Sequence, residues 1–197
     1  MGYFERIWSE APDAAPELFE LRRDHLVRRL PAGVRVLDVG CGSGWFSAAL
    51  FEAGFPVTGV DVAAEALRRA RLRASAVEFV RAREGDPLPF GAASFGAAWL
   101  GEVLEHVQDG IALLEEVARV LEPGGVLIAS TPDHPFALRA RLALSRAAFE
   151  RHFDPRSDHV RFFTAASLRT LLEACGFEDV AVVRDRGTLV ASCSTAR

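Results

Sequence analysis

The sequence predicts an α/β fold: a doubly wound, mainly parallel sheet, covered by helices on both faces and finished by an antiparallel hairpin. Three observations carry that expectation. Val34 to Val39 is a short apolar run rich in β-branched residues; three alternating glycines follow it, and apolar residues then resume in helical spacing from Trp45. Apolar runs and amphipathic stretches go on alternating as far as Val126, the pattern of parallel strands joined by crossover helices. Later, Val180 to Arg184 and Thr188 to Ser192 flank Arg186-Gly187, a hairpin whose second strand must run against the first.

Residues 1–15 carry Tyr3, Phe4 and Trp8 and run into Pro12 and Pro16, which suits an N-terminal arm that either packs over another part of the chain or is partly disordered. Glu17 to Leu30 is an amphipathic helix with Leu18, Leu21, His25 and Leu30 near one face, stopped by Pro31-Ala32-Gly33. The glycine turn 40–44 and its helix follow the first strand. Val57 to Asp61 is the second strand, Ala64 to Ala74 an Ala- and Arg-rich helix, Val77 to Val80 the third strand and Ser94 to Leu100 the fourth. Asp109 caps a helix to Val120 with Ile111, Leu114 and Val117 inward. Pro123-Gly124-Gly125 turns into the fifth strand, 126–130. Pro135 to Glu150 is one inserted helix, Arg151 to Phe163 a polar loop, and Ser167 to Cys175 the last helix, ended by Gly176.

Composition bounds the function. The 197 residues suit one domain spanning the chain, half of them hydrophobic, with a formal net charge of −4 that draws in neither nucleic acid nor anionic membrane. Every basic residue is Arg. Cys41, Cys175 and Cys193 are odd in number and without metal-binding spacing, as in a reducing cytoplasm. Met1 to Glu10 is unlike a signal peptide, and no apolar run approaches the ~20 residues of a membrane span.

The turn points to a ligand. Its helix presents free N–H groups to whatever lies there, and glycines let a ligand approach the backbone. Asp61 ends the neighbouring strand, where a carboxylate accepts bonds from a ribose diol. A nucleoside-containing ligand follows, and G-x-G-x-G spacing in place of G-x-G-x-x-G implies no pyrophosphate.

Asp38-x-Gly40-x-Gly42-x-Gly44, Asp61, Leu88-Pro89-Phe90, Glu102-Val103-Leu104-Glu105-His106 and Leu121-Glu122-Pro123-Gly124-Gly125 occur in that order. In this series the chain resembles a class I S-adenosylmethionine (SAM)-dependent methyltransferase, most of all the ubiquinone-biosynthesis O-methyltransferase type, over roughly residues 30–183. The resemblance implies a Rossmann-like seven-stranded mixed sheet with its last strand antiparallel. It implies SAM as methyl donor and a small-molecule acceptor methylated on a hydroxyl. It assigns the donor pocket to Asp38, Gly40, Cys41, Gly42, Gly44, Asp61, Val62, Leu100 and Gly101. Asp38 orients the loop or caps its amides; Asp61 holds the ribose or caps the helix at Ala63. The family's adenine-binding acid has no clear match: Arg83 and Glu84 stand there, Glu84 serves if the register shifts by one, and Asp86 is the fallback. Gly96 replaces the usual Asp after Ser94-Phe95 and weakens the strand start.

On a helix, Glu102, Glu105 and His106 would share a face and make half of a divalent-metal site, with His159 as a further ligand. A Mg²⁺ or Mn²⁺ there would lower the pKa of an acceptor hydroxyl. The alternatives are solvated carboxylates with a packed His106, or His106 or His159 as a metal-free general base. Residues 131–163 form the acceptor lid, where Arg139, Arg141, Arg146, Arg151, Arg156 and Arg161 either favour an anionic acceptor or make a solvated face. Leu138, Leu142 and Phe149 are packing residues; His134 and His152 lie in the same segment.

A metal-dependent 2′-O-methyltransferase of RNA 3′ ends is the closest alternative, without an added RNA-binding domain to support it. A non-catalytic SAM-binding module is another, resting on Arg83 and Gly96. Amino-group methylation of nucleic-acid bases is opposed by Leu100-Gly101-Glu102, so no DNA partner is expected, and a nicotinamide dehydrogenase is opposed by the glycine spacing and Pro123-Gly124-Gly125.

Overall fold

The computed structural model describes residues 2–154 and 157–197. Seven strands form one sheet: β1 (Val36–Val39), β2 (Val57–Asp61), β3 (Glu78–Arg81), β4 (Phe95–Gly101), β5 (Leu121–Pro132), β6 (Glu178–Asp185) and β7 (Thr188–Ser194). Their spatial order is β3-β2-β1-β4-β5-β7-β6. The first five run parallel, and β7 lies antiparallel between β5 and β6. The hairpin turns at Arg186-Gly187, where both residues have positive φ (46° and 91°), as a tight two-residue turn requires.

Eight helices accompany the sheet among the described residues: α1 (Tyr3–Glu10), α2 (Phe19–Arg29), α3 (Trp45–Glu52), α4 (Ala64–Arg73), α5 (Gly110–Val120), α6 (Phe136–Leu144), α7 (Arg146–His152) and α8 (Ala165–Ala174). Side chains alternate across each strand, so the sheet builds two cores. Leu37, Val39, Ala98, Leu100, Leu127 and Ala129 pack with Leu114 and Val117 of α5 and Leu168 and Leu172 of α8. Val36, Ala97, Trp99 and Ile128 pack on the other side with Leu26 of α2, Phe46 and Leu50 of α3, and Leu67 of α4. Each Val, Leu, Ile or Phe side chain among them, buried fully, contributes about 1.5–3 kcal/mol.

Several elements differ from expectation. Residues 3–10 are a helix. The buried side of α2 is Arg22 and Leu26, followed by Leu30, while Leu18 is exposed with a left-handed backbone. Ile111 faces outward (52% exposed); Leu114 and Val117 carry the inner face of α5. The inserted helix is two helices, because Ser145 leaves helical geometry and its hydroxyl caps α7 through the Ala148 amide. No residue of either is buried, and Phe149 is half-exposed. Gly96 lies near the start of β4, where the pairing with β5 shifts register between Phe95 and Ala97, and a Cβ there would sit 3.0 Å from Val34. Arg156 lies outside the described residues. No described helix is long and apolar enough to cross a membrane.

Candidate functional site

The carboxyl ends of the central strands share one edge, since Val39 pairs with both Val60 and Leu100, and Gly101 pairs with Ser130. The strand order reverses between β1 and β4, and ligands of open α/β sheets bind at that crevice.

The glycine turn leaves β1 there. The Gly40 and Cys41 amides donate to the Val60 carbonyl (2.8 and 3.0 Å), and the Gly44 amide closes on Cys41 (2.9 Å). Gly40 and Gly42 have φ of +67° and +52°. A Cβ on Gly40 would lie 2.6 Å from Val103 Cγ2, and one on Gly42 2.6 Å from the Trp8 ring. The space that the sequence reserves for a ligand is thus partly filled by the chain's own side chains.

Asp61 performs the capping role in this structure. Its Oδ2 accepts from the Gly42 amide and its Oδ1 from the Ala63 amide, both at 2.9 Å. Burial pushes its carboxyl up, and those two bonds oppose the rise. Asp38 accepts from the Ser47 hydroxyl at 2.5 Å, which ties β1 to α3; burial raises its pKa to about 7. The Cys41 thiol is buried and pushed well above its ordinary value, so it is not a reactive group. Val62 follows Asp61, half-buried; Leu100 is fully buried and Gly101 ends β4. Glu84 stands exposed with Arg83 and Asp86 in the turn after β3, closed by the Asp86 amide on the Arg83 carbonyl (3.2 Å).

Residues 102–106 are not helical. Glu102 has φ +57°, and a turn follows. The turn still gathers Glu105 and His106, and the lid loop adds His159: one ligand atom from each lies within 4.8 Å of the others. The loop is placed by its own backbone, for the Val160 and Arg161 amides donate to the Glu105 carbonyl (2.8 and 3.1 Å). Glu102 is outside that group. It takes the Ser130 hydroxyl at 2.8 Å and pairs with Arg22 at 3.3 Å.

Glu105 is 1% exposed, and among the described residues neither carboxylate oxygen has a well-formed hydrogen bond, although the neighbouring Thr131 hydroxyl favours its charged form. Burial, then the neighbouring Glu102, raises its pKa. His106 Nδ1 lies 3.1 Å from the Asp158 carbonyl, which can only accept, so Nδ1 carries a proton and Nε2 is the ring nitrogen left as a candidate ligand atom beside Glu105 and His159. His159 is pushed below its ordinary value, first by burial and then by His106, which favours a neutral imidazole. The donor set, one carboxylate and two imidazoles, fits a divalent transition ion such as Mn²⁺ better than Mg²⁺, which prefers oxygen.

Sequence reasoning passed over Arg22 and Glu5, and took Trp8 only as one aromatic of the N-terminal arm. Arg22 is 3% exposed and its Nε lacks a partner among the described residues. Its signal was present: it falls four residues before Leu26 and eight before Leu30, on the buried stripe. His134 is buried, donates from Nδ1 to the Phe163 carbonyl (3.1 Å) and meets His152 Nε2 at 3.1 Å, which holds α7 to the sheet edge.

The chain matches the methyltransferase-domain family over residues 10–182. It is 36% identical over 180 residues to a ubiquinone biosynthesis O-methyltransferase of Xylella fastidiosa, covering 83% of this chain and 70% of that one. The corresponding enzyme of Idiomarina loihiensis is 34% identical over 163 residues, covering 76% and 64%. A SAM-dependent methyltransferase structure from Methanosarcina mazei superposes with a TM-score of 0.67 at 28% identity, over 87% of this chain and 97% of that one. A putative methyltransferase of Haloferax volcanii, solved with its Trm112 activator, shares the fold at a TM-score of 0.76 and 21% identity, over 100% and 99% of the two chains. With the glycine turn, its acid and the sheet order all in place, the chain belongs to the SAM-dependent methyltransferases.

Proposed function

We propose that this enzyme moves the methyl group of SAM to a hydroxyl of a small-molecule acceptor seated beneath residues 131–163, in a reducing cytoplasm. The observation that carries the reading is the buried, unpartnered Glu105 carboxylate beside His106 and His159, at the carboxyl edge of the sheet. The relatives' O-methyltransferase names support the hydroxyl, and the exposed Arg side chains of the lid suit an acceptor with negative charge.

Methyl transfer from a sulfonium is an in-line displacement, so the protein's work is alignment and proton removal. The donor's sugar lies at Asp61, whose oxygens keep lone pairs after binding two amides. Gly40 and Cys41 face the methionine part, Leu100 and Gly101 its reacting end, Val62 the base, and Glu84 the adenine amino group. Arg22, buried and short of a partner at Nε, receives the donor's carboxylate. Glu105, His106 and His159 would hold a divalent ion, with Glu102 beside them; bound there, it would acidify the acceptor hydroxyl. Without that ion, His159, held neutral, takes the hydroxyl proton instead, and the Asp158 carbonyl fixes the His106 ring through Nδ1.

The test is release of S-adenosylhomocysteine (SAH) across a panel of phenols, catechols and hydroxy acids, with and without Mn²⁺. Turnover of a hydroxylated acceptor, stimulated by Mn²⁺ in the wild type and not in Glu105→Gln, is expected. Mn²⁺-independent turnover removes the metal, and methylation of amines alone removes the hydroxyl.

A further inference from the structure

We infer that α1 is a removable outer wall of the donor pocket, closed over its sugar end through Trp8 and Glu5, and that it must lift for SAM to enter and SAH to leave. The inference rests on the placing of the donor sugar at Asp61.

The cleft is open at one end and shut at the other. Gly40 is exposed, whereas Gly42 and Asp61, the two groups nearest the expected sugar, are buried. What lies over Gly42 is the Trp8 ring. One turn earlier on the same helix, Glu5 accepts from the Ala64 and Glu65 amides (2.7 and 3.1 Å), the first free N–H groups of α4. Those amides come directly after Asp61, Val62 and Ala63, so α1 is clamped at the residues that receive the adenosyl group.

The clamp is built to release. No residue of α1 is buried. Besides Trp8 and Glu5, its fastenings are Arg69, which donates to the Trp8 and Ala11 carbonyls (2.9 and 2.8 Å), and the Arg73–Asp13 pair at 2.6 Å just beyond it. Partly exposed polar bonds of this kind exchange readily with water, so α1 can detach while the sheet and its two cores stay intact. Its other side faces the lid. Tyr3, Arg6, Ile7 and Glu10 border a cavity of about 400 Å³ together with Asp158, the residue that orients His106. Lifting α1 therefore opens the way to both substrates.

Stopped-flow tryptophan fluorescence tests this, with SAH as the probe and the full chain throughout. In the wild type the observed binding rate should level off with rising SAH at the rate of α1 opening. Glu5→Ala and, independently, Arg69→Gln should raise that plateau about tenfold, with association and dissociation both faster and the dissociation constant changed less than either rate. Their unliganded thermal midpoints should stay within a few degrees of wild type, which a merely structural loss would not allow. A rate that climbs linearly with SAH in the wild type, or plateaus equal in all three proteins, overturns the wall and leaves the donor site standing. No calorimetric heat with millimolar SAH in any of them overturns the donor site and the wall together.

Discussion

Asp61→Ala removes the acceptor for two buried amides at once, Gly42 and Ala63, each bonded at 2.9 Å. A buried amide left without a partner costs about 1–3 kcal/mol, so the pair could cost about 2–6 kcal/mol. Water entering the vacated space and relief from burying a carboxylate bring the expectation down to about 2–3 kcal/mol. Asp61→Asn keeps one acceptor oxygen but turns an NH₂ toward the other amide, and should cost about 1–2 kcal/mol. The donor feels a separate loss. Charge-assisted bonds to the sugar hydroxyls are worth about 1.5–3 kcal/mol, which weakens SAH binding roughly 10- to 150-fold in either variant. Urea unfolding of the unliganded proteins measures the first effect, and calorimetric titration with SAH the second. Stability within about 0.5 kcal/mol of wild type in Asp61→Ala would refute the clamp. Unchanged SAH affinity beside the expected loss of stability would leave Asp61 a loop fastener that never touches the donor.

Asp38, with its pKa raised to about 7 by burial, predicts a pH dependence. The native state holds this proton more tightly than the unfolded chain, so stability is greatest below the ordinary carboxylate value and declines as pH rises toward 7, by about 4 kcal/mol at most for this group. Asp38→Asn should flatten that part of the urea-midpoint profile between pH 4 and 7; an unchanged slope assigns it to other groups. Gly40→Ala places a Cβ against Val103 on a backbone at φ +67°, and should lose about 2–4 kcal/mol from strain and overpacking together. Adding Val103→Ala should return only the packing part in a double-mutant cycle, and full recovery would show the backbone to be unstrained.

Local patterns were legible where neighbouring residues settle the structure. The β-branched run before the glycines, the Asp109 cap, Arg186-Gly187 and Gly176 each depend on a few adjacent residues, and all lie where expected. Two errors arose where tertiary packing overrode the local pattern. Ile111 has an apolar side chain at a plausible inward spacing, yet α5 turns it to solvent because Leu114, Val117 and Val120 already fill the face against the sheet. Glu102 was expected on a helix; it takes a left-handed backbone with its amide on Ser130 and its carboxylate between Ser130 and Arg22. Glu105, His106 and His159 came together regardless, because backbone bonds from the lid loop to the Glu105 carbonyl replaced the helical spacing.

By itself the sequence determined the alternation of strands and helices, the glycine turn and the acid opposite it, since periodicity and backbone conformation are properties of short segments. Only the tertiary structure decided what occupies the space above that turn. Trp8 on Gly42, Glu5 on the α4 amides, Arg22 against Glu102 and His134 against His152 join segments between 18 and 80 residues apart. Contacts of that span are chosen by how two cores pack on one twisted sheet, and no window of the chain contains both partners.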